Sequence, residues 1–195
     1  MLKNCIALAD IDEAVSCADI DNQGGIVQEI AFGYWDDVAT WPEYPAPEAN
    51  SEMAFAAAGA WNGDIVMKAG KAMHKFVATD ETGVLTITDQ GETGGESCLY
   101  QLDFSRAKMN AVLFGFENAM RGRRLVFLVT DKNGVTYLMG DKLNAAKKIP
   151  ADASTTGTAV TDKNNVPLRF TYTCPRKLVY TGDMENIFTA TQVGG

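Results

Sequence analysis

The sequence predicts a mainly β protein (α+β only in a minor way). The expected form is an antiparallel β-sandwich or barrel with one flanking α-helix over about residues 105–121 and with extended loops or arms. Three observations lead there. From Trp61 onward, short runs of alternating apolar and polar residues recur between glycine-, aspartate- and asparagine-containing turns, the pattern of half-buried strands. An Asn133-Gly134 pair joins two apolar runs, a strong hairpin signal. A single stretch carries a long apolar stripe of helical period. At 195 residues, with 46% hydrophobic and 22% charged residues, the chain is long enough to bury its own core without staples. Residues 1–60 read as an acidic N-terminal strand and proline-rich arm and residues 61–195 as the sandwich core with its helix, the whole forming one structural domain.

Taken in order, Ile26, Gln28, Ile30 and Phe32 alternate with Val27, Glu29 and Ala31 as a strand, which ends at Gly33–Val38. Trp41–Pro47 holds Pro42, Pro45 and Pro47, which remove backbone donors and fix φ, so this segment is expected to be an extended arm or loop. Met53–Ala58 fits a strand or a short helix equally. Strands are expected at Asp64–Lys68, Met73–Thr79, Val84–Thr88 and Cys98–Phe104, with turns at Thr79–Gly83 and Gln90–Gly95. In Val84–Thr88, Leu85 and Ile87 fall on one face and Val84, Thr86 and Thr88 on the other. The helical stripe comprises Met109, Val112, Leu113, Phe116 and Met120, with Ser105 as N-cap and Gly122 as C-terminal stop. Gly115 costs that helix about 1 kcal/mol against alanine, a cost that close packing at this position would offset. Leu125–Thr130 and Val135–Met139 form the Asn-Gly hairpin. A basic connection, Lys142–Pro150, leads to a second hairpin of Thr155–Thr161 with Val166–Thr173, and Tyr180 and Phe188 anchor the tail.

Charge is unevenly placed. The net charge is −8; residues 1–60 hold 11 acids and one base, whereas residues 105–148 hold 9 bases and 3 acids. Such polarity suits self-association, the acidic part of one copy meeting the basic part of the next, and equally suits two solvated faces of a monomer; it disfavours tight non-specific binding of nucleic acid. Apolar stretches are only a few residues long, so no membrane partner is expected, and the opening residues lack the apolar core of an export signal. Cys5, Cys17, Cys98 and Cys174 have no zinc or redox spacing and are expected as reduced, mostly buried thiols, although a Cys5–Cys17 bridge is geometrically open. No nucleophile elbow, phosphate loop or dinucleotide fingerprint is present, and His74, the only histidine, lies in a strand-like run, so no enzyme activity, catalytic residue, cofactor or metal is expected. Asp10, Asp12 and Glu13, and the pair Asp36-Asp37, lack the ligand spacing of a calcium loop and read as solvated acidic faces. Arg121, Arg123 and Arg124 form a basic cluster suited to a phosphate or a partner's carboxylate.

The order strand Leu125–Asp131, Asn-Gly turn, Tyr137–Gly140, lysine-bearing connection, Thr155–Asp162, Asn-Asn turn, Leu168–Thr171, together with the early Cys5…Cys17…Gly24-Gly25-Ile26 arrangement, resembles a family of virion structural proteins of phages and prophages of Bacteroides-type bacteria. The likeness covers about half of the chain, through turn and strand signatures, and departs from the family pattern at Asn165 and Pro167. It implies a sandwich of tail-tube type, assembled as hexameric rings that stack into a channel for DNA. The expected partners are therefore further copies of the chain, other tail or connector proteins and transiently passing DNA. The expected location is the virion tail, after assembly in the host cytoplasm. Candidate subunit-interface residues are Arg121, Arg123, Arg124, Asp36, Asp37, Trp41, Pro42, Tyr44, Pro45 and Pro47. Competing readings are a head–tail connector or capsid decoration protein, and a monomeric carbohydrate- or cell-surface-binding module that uses Trp35, Trp41 and Trp61 as exposed aromatics.

Overall fold

The computed structural model describes residues 6–9, 22–48 and 51–189. Cys5, Cys17, Asp10, Asp12 and Glu13 lie outside them. The described elements are β1 (Glu29–Tyr34), a 3-10 turn (Trp35–Asp37), β2 (Val38–Thr40), α1 (Phe55–Ala58), β3 (Val66–Met67), β4 (His74–Val77), β5 (Val84–Gln90), β6 (Ser97–Ala107), α2 (Ala111–Met120), β7 (Leu125–Thr130), β8 (Thr136–Met139), β9 (Lys147–Ile149), β10 (Asn165–Cys174) and a second 3-10 turn (Asn186–Phe188). They form a mainly β protein with antiparallel sheets and minor helix.

Two four-stranded sheets, β4-β1-β7-β8 and β5-β6-β10-β9, carry the fold, with a small β2-β3 ribbon beside them. The main core lies between the two sheets. Ile30, Phe76, Leu125, Phe127, Val129 and Met139 from one sheet meet Tyr100, Leu102, Phe104, Leu168, Phe170 and Tyr172 from the other. Alternate residues of the first sheet, Ala31, Val126, Leu128 and Leu138, face the opposite way into a second cluster with Trp61, Ile65, Met67, Met73, Leu178, Tyr180 and Ile187. The first sheet is thus covered on both faces, which is why β7 is an unbroken apolar run, Leu-Val-Phe-Leu-Val. The sheets join at two corners: Thr79 N–H donates to Ser105 O at 2.9 Å, and Leu125 and Ala146 exchange both backbone bonds at 2.9 Å. Helix α2 bridges the edges β4 and β9. Its Phe116 packs 5.2 Å from Phe32 and 4.9 Å from Phe76, while Glu117 meets Lys148 of β9 at 3.0 Å.

Several expectations are corrected. Ser105 does not cap the helix; it is buried within β6, which runs on to Ala107 opposite β10. The helix begins at Ala111 because Asn110, in extended conformation, caps it by accepting from Leu113 N–H at 3.0 Å. It ends at Met120, and Gly122 stands at the expected C′ position with φ of +65°. Val112 is not in the buried stripe but 80% exposed. Gly115 has no close neighbour, since a Cβ there would meet nothing within 4 Å. Gly115→Ala is therefore expected to raise stability by about 1 kcal/mol, read as a higher urea midpoint; an unchanged or lower midpoint would contradict this packing. Thr155–Thr161 is not a strand: Thr155 alone bridges Asn165, and β10 pairs instead with β9 inside the basic connection. Of Met53–Ala58, Phe55–Ala58 form the short helix α1, while Met53 makes an isolated bridge to Ile6. Residues 61–195 do not make the sandwich core alone, because β1, from the acidic N-terminal part, lies between β4 and β7.

Pro167 sits inside β10 without breaking a ladder bond. Asn165 exchanges both backbone bonds with Thr155, at 3.0 and 3.2 Å, so its N–H and C=O point away from β6. By alternation Pro167 points the same way. β9 ends at Ile149, opposite Arg169, so among the described residues no strand stands beside Pro167 on that flank.

Candidate functional site

The structure gathers several predicted residues at one end of the sandwich, around an aspartate that sequence reasoning did not single out. Asp141 follows Gly140, whose φ of +138° turns the chain away after β8. It is 2% exposed, and both its oxygens are used. Oδ1 accepts from Leu143 N–H at 2.6 Å and Asn144 N–H at 2.7 Å. Oδ2 accepts from Tyr44 Oη at 2.8 Å and Tyr172 Oη at 2.6 Å. Its backbone oxygen accepts from Trp35 Nε1 at 2.6 Å. One residue thereby ties together the turn after β1, the proline segment, the loop after β8 and strand β10.

Around this hub the proline segment takes the loop form of the two expected, packed down and not extended as an arm. In Trp41–Pro47, Pro42 and Pro45 are buried and Trp41, Tyr44 and Pro47 partly so. Glu43 and Asn62 exchange backbone bonds at 2.8 and 3.0 Å, Arg176 donates to Pro45 O at 3.1 Å, and the Tyr44 ring lies 4.6 Å from Trp61. The physical reason is apolar content: Trp41 and Tyr44 gain more by covering the outer face of the first sheet than by extending into water. Trp61 itself is core, 4% exposed, so it is not an exposed aromatic. The Trp35 and Trp41 rings lie 5.5 Å apart, tilted by 34°, and the Arg124 guanidinium lies 3.4 Å over the Trp35 ring.

The charges expected to meet between copies meet in part within one chain. Arg124 pairs with Asp36 at 3.5 Å and Lys71 with Asp37 at 3.2 Å, both at the surface and each contributing about 0–1 kcal/mol. Lys75 pairs with Glu29 at 2.6 Å. Arg121 only approaches Glu117, at 4.0 Å, and Arg123 forms no ion pair among the described residues. The structure thus brings Asp36, Arg124, Trp41, Tyr44 and Pro45 into one region, and leaves Arg121 and Arg123 at the end of α2. Two open grooves flank the hub and meet at Leu143, which is 78% exposed. One, of about 470 Å³, is lined by Trp41, Pro42, Tyr44 and Leu143. The other, of about 320 Å³, is lined by Arg124, Lys147, Thr171 and Thr173. His74 is exposed on β4, its ring 5.8 Å from Phe32. Among the described residues no three His, Cys, Asp or Glu side chains converge as a metal site, and no helix is long and apolar enough to cross a membrane.

Burial and the hydrogen bond to Asp141 hold the Tyr172 and Tyr44 hydroxyls well above the usual range, burial does the same for Tyr100, and burial pushes the Cys174 thiol up to about 11. In the folded chain the phenols stay protonated and the thiol ionises only at about pH 11, whereas in the unfolded chain ionisation runs from about pH 8.5 for the thiol to about pH 10 for the phenols. Above that range the unfolded state binds fewer protons, so stability falls as pH rises. Urea midpoints are expected to drop between about pH 9 and about pH 11, with a smaller drop in Tyr172→Phe; a midpoint that held steady would show these hydroxyls ionising as readily folded as unfolded.

Comparison of the chain with protein-family models, curated proteins and solved structures finds no match.

Proposed function

We propose that this chain is a structural subunit of a phage virion, a tail-tube or tail-ring protein whose copies assemble into stacked rings around a passage for DNA. The observation that carries the reading is the free edge of β5. Lys108 N–H donates to Asn164 O at 2.8 Å, which sets the alternation of the β6–β10 ladder. Even-numbered residues of β6 therefore bond to β10, and odd-numbered ones bond to Val84, Thr86, Thr88 and Gln90 of β5. The N–H and C=O groups of Leu85, Ile87 and Asp89 point outward and have no backbone partner among the described residues. Beside them, where β5 meets β8, lies a groove of about 190 Å³ lined by Ile26, Leu85, Ile87 and Tyr137. A seven-residue edge that has no neighbouring strand among the described residues, with an apolar flank, is a feature that monomers suppress and assemblies use.

Two further features support it. The outward face of α2 is uncharged, with Val112 80% and Phe114 38% exposed beside Ala111, Gly115 and Ala119, unlike an ordinary solvated helix face. The sequence likeness over residues 123–173 and the double-layered antiparallel architecture agree with the tail-tube reading. A six-membered ring comes from that likeness alone. A glycan-binding module is less well supported, because Trp61 is core and Trp35, Trp41 and Arg124 are spent on one another.

Light scattering on a size-exclusion column and negative-stain electron microscopy test the reading. Closed rings or stacked tubes are expected at high concentration. A strict monomer enclosing no channel would overturn it; isolated rings that join a portal instead of stacking would make the chain a connector.

A further inference from the structure

Cys98 and Cys174 stand directly opposite each other in the β6–β10 ladder. Both are buried and unbridged, 6% and 2% exposed, and both face the sandwich interior on the same side as Tyr100 and Tyr172. Parity makes this a hydrogen-bonded pair, for which Cα atoms lie about 5.5 Å apart and Cβ atoms about 4.5–5.5 Å apart. A disulfide needs Cα atoms at roughly 4.4–6.8 Å and Cβ atoms near 3.8 Å. The Cα spacing already fits, and the side chains must close by about 1 Å. That movement is feasible here because the pair is the last of the ladder, with Pro175 directly after it. The site also has an entrance: Cys98 lines a groove of about 570 Å³ with Asp89, Glu96, Pro175, Arg176 and Lys177. Cys98 Sγ lies 3.5 Å from Asp89 Oδ1, and Cys174 Sγ donates to Arg176 O at 3.0 Å.

We propose that Cys98 and Cys174 form a dithiol site that closes reversibly to a cross-strand disulfide by exchange with a small-molecule disulfide of the glutathione class. Cys98, at the mouth, loses its proton and its thiolate attacks one sulfur of the reagent, whose S–S bond breaks to release one thiolate. Cys174 then loses its proton and attacks Cys98 Sγ, releasing the second thiolate. Two electrons pass from the protein sulfurs to the reagent, and the two protons end on the two released thiols. Closure against the preferred spacing strains the bond, so it is readily reduced again. Burial, together with the Asp89 carboxylate beside it, raises the Cys98 thiol, and burial raises Cys174, so exchange is slow at neutral pH and quickens as pH rises. Lys177 holds Asp89 in place at 2.5 Å.

The test uses the full chain with Cys5→Ser and Cys17→Ser, treated with oxidised glutathione at about pH 8.5 under native conditions. Expected are an intact mass lower by two hydrogens, a digest peptide joining Cys98 to Cys174, and return to the starting mass with mild reductant. Asp89→Asn is expected to quicken closure about threefold to tenfold by removing the neighbouring negative charge. In Cys174→Ser a glutathione adduct on Cys98 is expected in place of the closed form. Persistence of both thiols, a stable adduct on Cys98 with Cys174 still present, or linkage only when urea is added would each overturn the proposal. The native-state reading on the parent decides the matter even where a cysteine variant fails to fold.

Discussion

Replacing Asp141 with alanine is expected to lower stability by about 3–5 kcal/mol, a large fraction of what a domain of this size has in total. Four donors converge on its carboxylate, and two of them, the Tyr44 and Tyr172 hydroxyls, lie within the structure. Leu143 and Asn144 are exposed, and their N–H groups turn to water after the change. Tyr172 is 2% exposed and has no such recourse, so most of the cost falls on its orphaned hydroxyl. Asp141→Asn keeps one acceptor oxygen, and the hydroxyls rotate to accept from the new amide, so a loss of only about 1–2 kcal/mol is expected. The second signature is local: with Tyr44 released, the segment Trp41–Pro47 should lose protease resistance before the sheets do. Urea unfolding and limited proteolysis read both effects. A loss below about 1 kcal/mol in the alanine variant would mean that the hub does not hold these elements together.

A proline scan of β5 is expected to separate assembly from folding. Ile87 points its N–H outward, so Ile87→Pro removes no bond of the β5–β6 ladder and costs the monomer only its half-buried side-chain packing, about 1–2 kcal/mol. It deletes the central donor of the free edge, and rings or tubes should be lost. Thr88 points its N–H at Leu99 of β6, so Thr88→Pro breaks the ladder and should cost the monomer about 3 kcal/mol. Column elution and micrographs report assembly, and urea melts report the fold. If Ile87→Pro assembled as well as the parent, β5 would not be the seam.

Much of the scaffold was legible in sequence because its signals are local. The β7–β8 hairpin follows from Asn133-Gly134, and Asp131 Oδ1 reinforces it by accepting from Asn133 and Val135 N–H at 2.9 and 2.8 Å. The β6 alternation of Cys98, Tyr100, Leu102 and Phe104 is equally plain. The start of α2 was misplaced because Ser105 and Asn110 are both acceptable caps in sequence, and only the pairing of β6 with Asn165–Pro167 decides between them. Strand β9 carries no strand signal in the sequence because two of its three residues are lysines; Lys148 is nonetheless buried to 10% side-chain exposure, since Glu117 of α2 receives its charge. The hub was not legible at all. Asp141 is one acid in a basic stretch, and its partners Tyr44 and Tyr172 are 97 and 31 positions away. Of the predicted interface set, Asp36 and Arg124 were chosen for opposite charge, a property that equally suits the intramolecular pair they form.

The order of strands has a consequence for how the polypeptide matures. β1 cannot take its place until β7 has been synthesised, and β6 must wait for β10, so neither sheet closes during most of translation. Among the described strands β5–β6 and β7–β8 are the pairs joined by the shortest connections, and those two hairpins are the natural early structures of the nascent chain. High contact order of this kind places folding in the millisecond-to-second range. Throughout that interval β5 stands exposed on a half-built sheet, so a cell producing many copies at once runs a race between correct closure and premature clumping.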